Sequence, residues 1–561
     1  MGRAGRYALL GALVVLILYP ASILLYLTFW SATPGAPGHF TLRWFHDAFT
    51  APGFDRVLIN TAVFALVKAA LAAAIGGGLA FLVARTDLPA RRTVAVLAAA
   101  PFFVPAILTA LAWAIIANPK TGMIPGLNVY SIEGMIFQAT PITAAMFFLL
   151  TVGAFGALNS EMEEAAQLCG ATRLTILRTI VVPMVAPALT GAAILSVIRG
   201  LENFETPYLL GSPGGVFVLS TEIYRYVRLD TPPEPGNAGA LSLGILALTC
   251  VLMLWQWKYL AHRSFVTVTG RATMNRPIAL GRWRGPLFAL VVIYVGLTLG
   301  VPLAFLVASS FTSVFGVFSP SYLTTNNWSA LLRNAPLWRA YVATLVVAFA
   351  SGGIGVVVAG FVAYIRVRSS WWGGKVMDAL TWIPWAMPGL VLALAFLWAA
   401  ILMPSAINIY GTVQLLIVAF VVSSLPVGVR VMFGNIVQIS PQLEEAARVS
   451  GASSGRAVRE IVVPMLGLGA LGAWVIIAYG IIGNLTLPVL LSAPGTELLS
   501  TQLLQIYSQG QTSQAAALAI VMLLTMAAVL AAAAIVRNAW RSYGRATVQV
   551  PPNETSPLPL V

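Results

Sequence analysis

The sequence predicts an all-α integral membrane protein of twelve transmembrane helices, arranged as two tandem six-helix units. Three observations predict it: an apolar composition, a series of segments of spanning length, and an internal repeat that runs through the chain. Of 561 residues, 59% are hydrophobic and 9% are charged, whereas a soluble globular protein is about a quarter charged. A water-soluble fold with so few charges would be nearly all core, so the bilayer is the simpler solvent. The two cysteines, Cys169 and Cys250, cannot build a disulfide framework. His39, His46 and His262 are scattered, and no Cys/His cluster has metal-ligand spacing, so no metal site is expected.

A spanning helix needs about 20 mostly apolar residues. The first series of candidates falls at 7–29, 57–84, 93–117, 134–158, 184–210 and 237–260. The second falls at 286–310, 340–365, 377–402, 411–436, 465–491 and 514–536. Pro101 and Pro105 lie inside one of these runs, but neighbouring helices can satisfy the backbone groups a proline frees. The first run follows Arg3 and Arg6 and is 23 residues long. A signal peptide has a shorter apolar region and a small-residue cleavage site, so an uncleaved first helix is expected.

Basic residues orient the chain. With the N-terminus inside, the cytoplasmic segments carry 23 Lys and Arg residues and the opposite side carries seven. Lys120 is among the seven, while Arg263, Arg271 and Arg276 are among the 23; Lys68 and Arg199 fall within spans. Both termini are then cytoplasmic, and topology accounts for the net charge of +14 without nucleic acid. Residues 261–285 are basic, carry Gly270, Pro277 and Gly281, and read as a cytoplasmic linker. The expected units are residues 1–260 and 286–545, and the proline-rich tail 546–561 reads as disordered.

The repeat fixes the organisation. Glu163-Glu-Ala-Ala-Gln-Leu-Cys-Gly170 returns as Glu444-Glu-Ala-Ala-Arg-Val-Ser-Gly451, an offset of 281 residues, and Glu163–Met184 matches Glu444–Met465 at 12 of 22 positions. Asn203, Pro207 and Gly214 return as Asn484, Pro488 and Gly495 at the same offset. Pro101-Phe-Phe-Val-Pro105 echoes Pro384-Trp-Ala-Met-Pro388 at 283. Each unit places its Glu-Glu-Ala-Ala segment between its fourth and fifth spans, so both loops face the cytoplasm. The copies are parallel, as in transporters whose halves are related by an axis along the membrane normal.

The loops, about 160–183 and 441–464, read as short helices of good helix formers closed by Gly170 and Gly451. A stripe at helical spacing follows (Leu174, Leu177, Ile180 and Val181), and then a proline, Pro183 or Pro464, enters the next span. Such a helix–turn–helix could rest on the membrane surface or dock into a cytoplasmic partner, and a symmetric pair suits a dimeric partner.

Both loops resemble the EAA signature of permeases in binding-protein-dependent ABC importers: Glu-Ala-Ala, three residues, Gly, nine residues, Ile-x-Leu-Pro. Here it reads Glu164-Ala-Ala166, Gly170, Ile180, Pro183 and Glu445-Ala-Ala447, Gly451, Ile461, Pro464, with Val182 and Val463 in place of Leu. The resemblance implies the type I importer (MetI-like) fold, with pseudo-two-fold symmetry along the membrane normal. It implies a bacterial inner-membrane location, a homodimeric cytoplasmic ATPase and a periplasmic solute-binding protein as partners. Glu163, Glu164, Ala165, Ala166 and Gly170, with Glu444, Glu445, Ala446, Ala447 and Gly451, are then the ATPase-coupling set. Fused twelve-span chains are typical of the ferric-iron group, which this chain resembles most; thiamine, phosphonate and polyamine importers are the alternatives.

No Gly-x-x-x-x-Gly-Lys-Ser/Thr loop is present, so ATP and Mg belong to a partner subunit; this chain is not itself an enzyme and holds no cofactor of its own. Charged and polar groups inside spans are costly and are candidates for the translocation pathway. Here they are Arg199, Glu202, Asn203 and Glu205 in the first unit and Asn484 in the second. Arg199 and Glu202 also have the spacing of a simple ion pair. An ion-driven secondary transporter would share the two six-span halves but has no use for two cytoplasmic EAA loops. A membrane scaffold would leave the polar groups inside the spans unexplained.

Overall fold

In the computed structural model, the described residues are 3–119, 122, 124, 126–158, 161–261, 277–314 and 318–546. Most of the expected linker (262–276), the tail from 547, and Lys120, Arg263, Arg271 and Arg276 lie outside them. The described chain is helical. The main helices of the first unit are α1 (Arg3–Thr28), α2 (Phe54–Arg85), α3 (Arg91–Phe103), α4 (Ala106–Ile116), α5 (Ile132–Gly156), α6 (Glu161–Leu168), α7 (Leu174–Leu201) and α8 (Pro235–Ala261). The second repeats the series as α9 (Gly281–Ser310), α10 (Ala335–Arg368), α11 (Trp372–Ala386), α12 (Gly389–Ile401), α13 (Val413–Val437), α14 (Pro441–Val449), α15 (Ser454–Ile482) and α16 (Thr512–Ala546).

Among the described residues, ten helices are long and apolar enough to cross a membrane, and two bent pairs bring the number to twelve. Those pairs correct the expectation of continuous third spans at 93–117 and 377–402. α3 meets α4 at 89° and α11 meets α12 at 107°. A residue preceding proline is driven out of the helical region by the ring. Val104 (ψ 123°, before Pro105) and Met387 (ψ 118°, before Pro388) are accordingly extended, and the chain turns there. Beyond the bend, α4 and α12 run through the centre of the bundle, with Leu108, Ile115, Leu394 and Ala395 wholly buried.

The units are interlocked. α1 of the first packs against α12 of the second, and α9 of the second packs against α4 of the first. Each first span is therefore donated to the other unit's central helix, which commits the two copies to a single body. Prolines shape the fifth spans as well. Pro183 and Pro464 lack the N–H that would close an α-turn. The preceding segments Leu177–Val181 and Val458–Val462 widen into π-turns, in which the Val182 and Val463 N–H groups donate to the Leu177 and Val458 carbonyls.

Candidate coupling loops and the break in the fifth span

α6 and α14 lie at the same end of the bundle as the N-terminus, and each is tied down from below. The final turns of α2 and α10 bring Arg85 and Arg368 beneath the loops. Arg368 Nε donates to Glu444 Oε1 at 2.8 Å, Tyr364 Oη donates to Glu444 Oε2 at 2.7 Å, and Arg368 Nη2 donates to the Ile439 carbonyl at 2.5 Å. The first unit repeats this: Arg85 Nη2 pairs with Glu163, and Arg85 Nη1 donates to the Leu158 carbonyl at 3.2 Å. Phe81 stands where Tyr364 does, so among the described residues no tyrosine hydroxyl meets Glu163. Both glutamates are buried, at 6% and 4% exposure.

The expected coupling set therefore divides into two faces. Glu163 and Glu444 point inward and anchor the loops. Glu164, Ala165, Glu445 and Ala446 are exposed, and Ala166 and Ala447 are half-buried. Gly170 and Gly451 adopt φ of +82° and +90°, and their N–H groups donate to the Gln167 and Arg448 carbonyls. The next N–H, of Ala171 or Ala452, reaches back to Ala166 or Ala447, so each helix ends in a Schellman-type cap. A Cβ at either glycine would meet nothing within 4 Å, so what glycine supplies is its backbone freedom. Gly170→Ala should cost about 1–2 kcal/mol locally. Amide exchange across α6 should accordingly quicken roughly tenfold in a hydrogen-exchange experiment on the purified chain.

The sequence reading missed the apolar tips of these loops. Leu168 and Val449, equivalent by the 281-residue offset, are 91% and 90% exposed, and Met162 and Leu443 are exposed behind them. It also missed Arg85 and Arg368, although their spacing of 283 is that of the repeated prolines.

In the fifth spans, the expected continuous helices to 210 and 491 are interrupted after Leu201 and Ile482. Asn203 and Asn484 sit in the breaks and restart the helix. Their Oδ1 atoms accept from Thr206 N (3.2 Å) and Leu487 N (3.0 Å), and their carbonyls accept from Ser220 Oγ and Ser500 Oγ at 2.6 and 2.7 Å. The polar side chain caps the interrupted backbone, which hydrocarbon could not hydrate.

The charges divide into two places. Arg199 Nη1 pairs with Glu202 Oε2 at 3.2 Å, and Lys68, buried in α2, donates to the Arg199 carbonyl at 3.3 Å while lying over the Phe64 ring. Glu205 crosses between units. Its Oε1 accepts from Leu485 N at 3.1 Å, inside the second unit's break, and it lies beside the Ile107 backbone where α4 begins. Close by, the Tyr479 hydroxyl bonds the Phe103 carbonyl, and a Cβ on Gly483 would stand 2.7 Å from Pro105 Cγ. The bend of one unit's third span thus seats on the break in the other unit's fifth.

Two interlocked copies of a six-span unit, each presenting an anchored loop at one end, define a duplicated multi-span membrane protein of the transport type. The family model for the binding-protein-dependent transport system inner membrane component matches residues 58–266 and 351–541. The chain belongs to that family, as a fused two-copy permease. It is 25% identical to the ferric transport system permease protein FbpB of Actinobacillus pleuropneumoniae over 416 residues, 72% of this chain and 58% of the relative. It is 20% identical to the Fe(3+)-transport system permease protein FbpB 2 of Haemophilus influenzae, over 84% of this chain and 88% of that protein. The matched stretch spans 54–59% of the length of the Actinobacillus pleuropneumoniae protein, of a probable ABC transporter permease protein of Sinorhizobium fredii and of a putative ferric transport system permease protein of Haemophilus influenzae.

Proposed function

We propose that the chain forms the translocation pathway of an ATP-driven importer and moves ferric iron released from a periplasmic binding protein. The observation that carries this reading is the pair of equivalent loops, each anchored by a buried carboxylate–arginine pair and each presenting an exposed apolar tip beside an exposed glutamate. A homodimeric ATPase, holding ATP and Mg, would take α6 and α14 into equivalent clefts on its two subunits, with both termini cytoplasmic. Closure of that dimer on ATP biases a two-state membrane element. Because α2 and α10 grip the loops through Arg85 and Arg368, a displacement of either loop is passed to a long spanning helix, and the seal around Glu205, Tyr479 and Gly483 is the element that must open.

Iron as the solute rests on the named relatives. A second reading, an anionic solute such as a phosphonate, is favoured by one observation: among the described residues, two cations, Lys68 and Arg199, gather around the one carboxylate of Glu202. Calorimetric titration of the operon's binding protein with ferric iron, thiamine, aminoethylphosphonate and polyamines separates the two. Tight iron binding supports the first, and tight binding of an organic solute removes iron while leaving the importer reading intact. Mutating Glu164 and Glu445 together should leave ATPase activity in the complex and abolish its coupling to uptake. Full retention of uptake in that double variant would defeat the coupling assignment.

A further inference from the structure

The second unit carries a cavity of about 850 Å³ between α10, α14 and α15, at the loop end of the bundle. That size lies within the roughly 300–1,000 Å³ typical of small-molecule sites. Its walls are apolar, with Val357, Phe361 and Leu466 among them, and its mouth holds Arg6, Arg368 and Arg448. It lies away from the contact that α15 makes with the first unit's third span, although Arg6 of the donated α1 reaches its mouth. On α15, Val463, Leu466 and Ala470 face the cavity, whereas Tyr479 and Gly483, which meet the first unit, lie about half a turn around the helix. Val357 and Phe361 are 58% and 45% exposed, so the cavity opens on the surface of α10, a helix long and apolar enough to span a membrane.

The three arginines are not equally committed. Arg368 is consumed by Glu444 and the Ile439 carbonyl. Arg6 bonds Ser369 Oγ through Nη1 at 3.3 Å, but its Nε is buried without a partner. Arg448 reaches only the Glu444 carbonyl, through Nε at 3.4 Å, which leaves its terminal nitrogens free of partners among the described residues. A buried donor without an acceptor costs about 1–3 kcal/mol, which an acceptor oxygen brought to Arg6 Nε would relieve, and Arg448 is exposed beside it. With Glu444 and Glu445 counted, it keeps one net positive charge.

The first unit supplies an internal comparison. Its equivalent cavity, of about 780 Å³, has Phe81 and Gln167 where the second has Tyr364 and Arg448. The chain's own Pro277–Ala279 lines it, with Ile278 N donating to the Arg85 carbonyl at 2.7 Å. Among the described residues, the basic mouth is thus found only at the second loop, where Arg6 of the donated α1 joins Arg368 and Arg448 of the second unit.

We propose that the second cavity binds one anionic phospholipid, its phosphodiester held between Arg6 and Arg448 and an acyl chain laid along Phe361 and Leu466. Basic pockets between membrane helices suit anionic headgroups. Because Glu445 and Arg448 belong to α14, the lipid buttresses the second loop and not the first.

Native mass spectrometry of the purified full chain in detergent tests this with three probes: phosphatidylglycerol, phosphatidylcholine with the same acyl chains, and inorganic phosphate. One phosphatidylglycerol should be retained at least about tenfold more tightly than phosphatidylcholine, as two arginine contacts near a membrane surface allow. The double variant R6A/R448A should bring phosphatidylglycerol down to the phosphatidylcholine level. Gly360→Leu, which grows a side chain into the cavity beside Met432, should weaken both lipids, and it decides the matter alone if the arginine variant does not fold. Equal retention of the two lipids, retention unchanged in the variants, or displacement of phosphatidylglycerol by equimolar inorganic phosphate would each overturn the proposal.

Discussion

Glu444→Ala should abolish the proposed solute uptake and destabilise the loop end of the second unit. The substitution leaves Arg368 charged, mostly buried and without its carboxylate, and strips Tyr364 of its acceptor. Removing one partner of a buried ion pair costs about 3–5 kcal/mol, because the remaining charge stays desolvated and unpaired. That is a large part of the stability of an ordinary domain, and it falls where α14 is held to α10. The loop should detach while the spans remain assembled. The first unit should behave alike on Glu163→Ala, since Arg85 is even more deeply buried. The double variant R85M/E163M provides the control. Replacing both charges by apolar side chains of similar length removes the unpaired charge, and such exchanges are often neutral. Thermal melting with hydrogen exchange of α6 should show the single variant loosened and the double variant near wild type. Equal loss in both would mean that the ion pair does more than anchor.

The second large effect comes from the opposite face of the same helices. Leu168→Asp combined with Val449→Asp should leave the melting temperature of the isolated chain unchanged, because both side chains are about nine-tenths exposed. It should nevertheless separate the chain from its ATPase. Apolar anchors at the centre of an interface are worth about 2 kcal/mol or more each, roughly thirtyfold in Kd per site. A charge placed in an apolar cleft adds a desolvation penalty. Pull-down of the ATPase by the tagged permease measures it: co-purification lost with the fold intact is the expected result. Unaltered co-purification would place the partner's contact elsewhere on the loops.

The legibility of this protein follows from which interactions are local. The duplicated loops, their helical character and the role of Gly170 and Gly451 were readable, because a cap is decided by neighbouring residues and the repeat shows it twice. The partners of Glu163 and Glu444 were not. Arg85 precedes Glu163 by 78 residues, and only the fold brings the end of α2 under the loop. The bends at Pro105 and Pro388 were underestimated for a different reason. A proline in a span can be absorbed by neighbours, and the 89° and 107° turns depend on Val104 and Met387 going extended instead. Asn203 and Asn484 read as pathway groups because polar atoms are expensive in a bilayer. The structure gives that expense a backbone purpose, capping a break, and leaves Glu205 as the acidic group that joins one unit to the other.

The measurement that bears most directly on the account is uptake of radiolabelled ferric iron into proteoliposomes holding this chain and its ATPase, with the iron-loaded binding protein outside. The account predicts uptake that requires ATP on the loop side and vanishes when the ATPase is omitted or when Leu168 and Val449 are both replaced by Asp. Uptake that proceeds without the ATPase and follows an imposed ion gradient would contradict it.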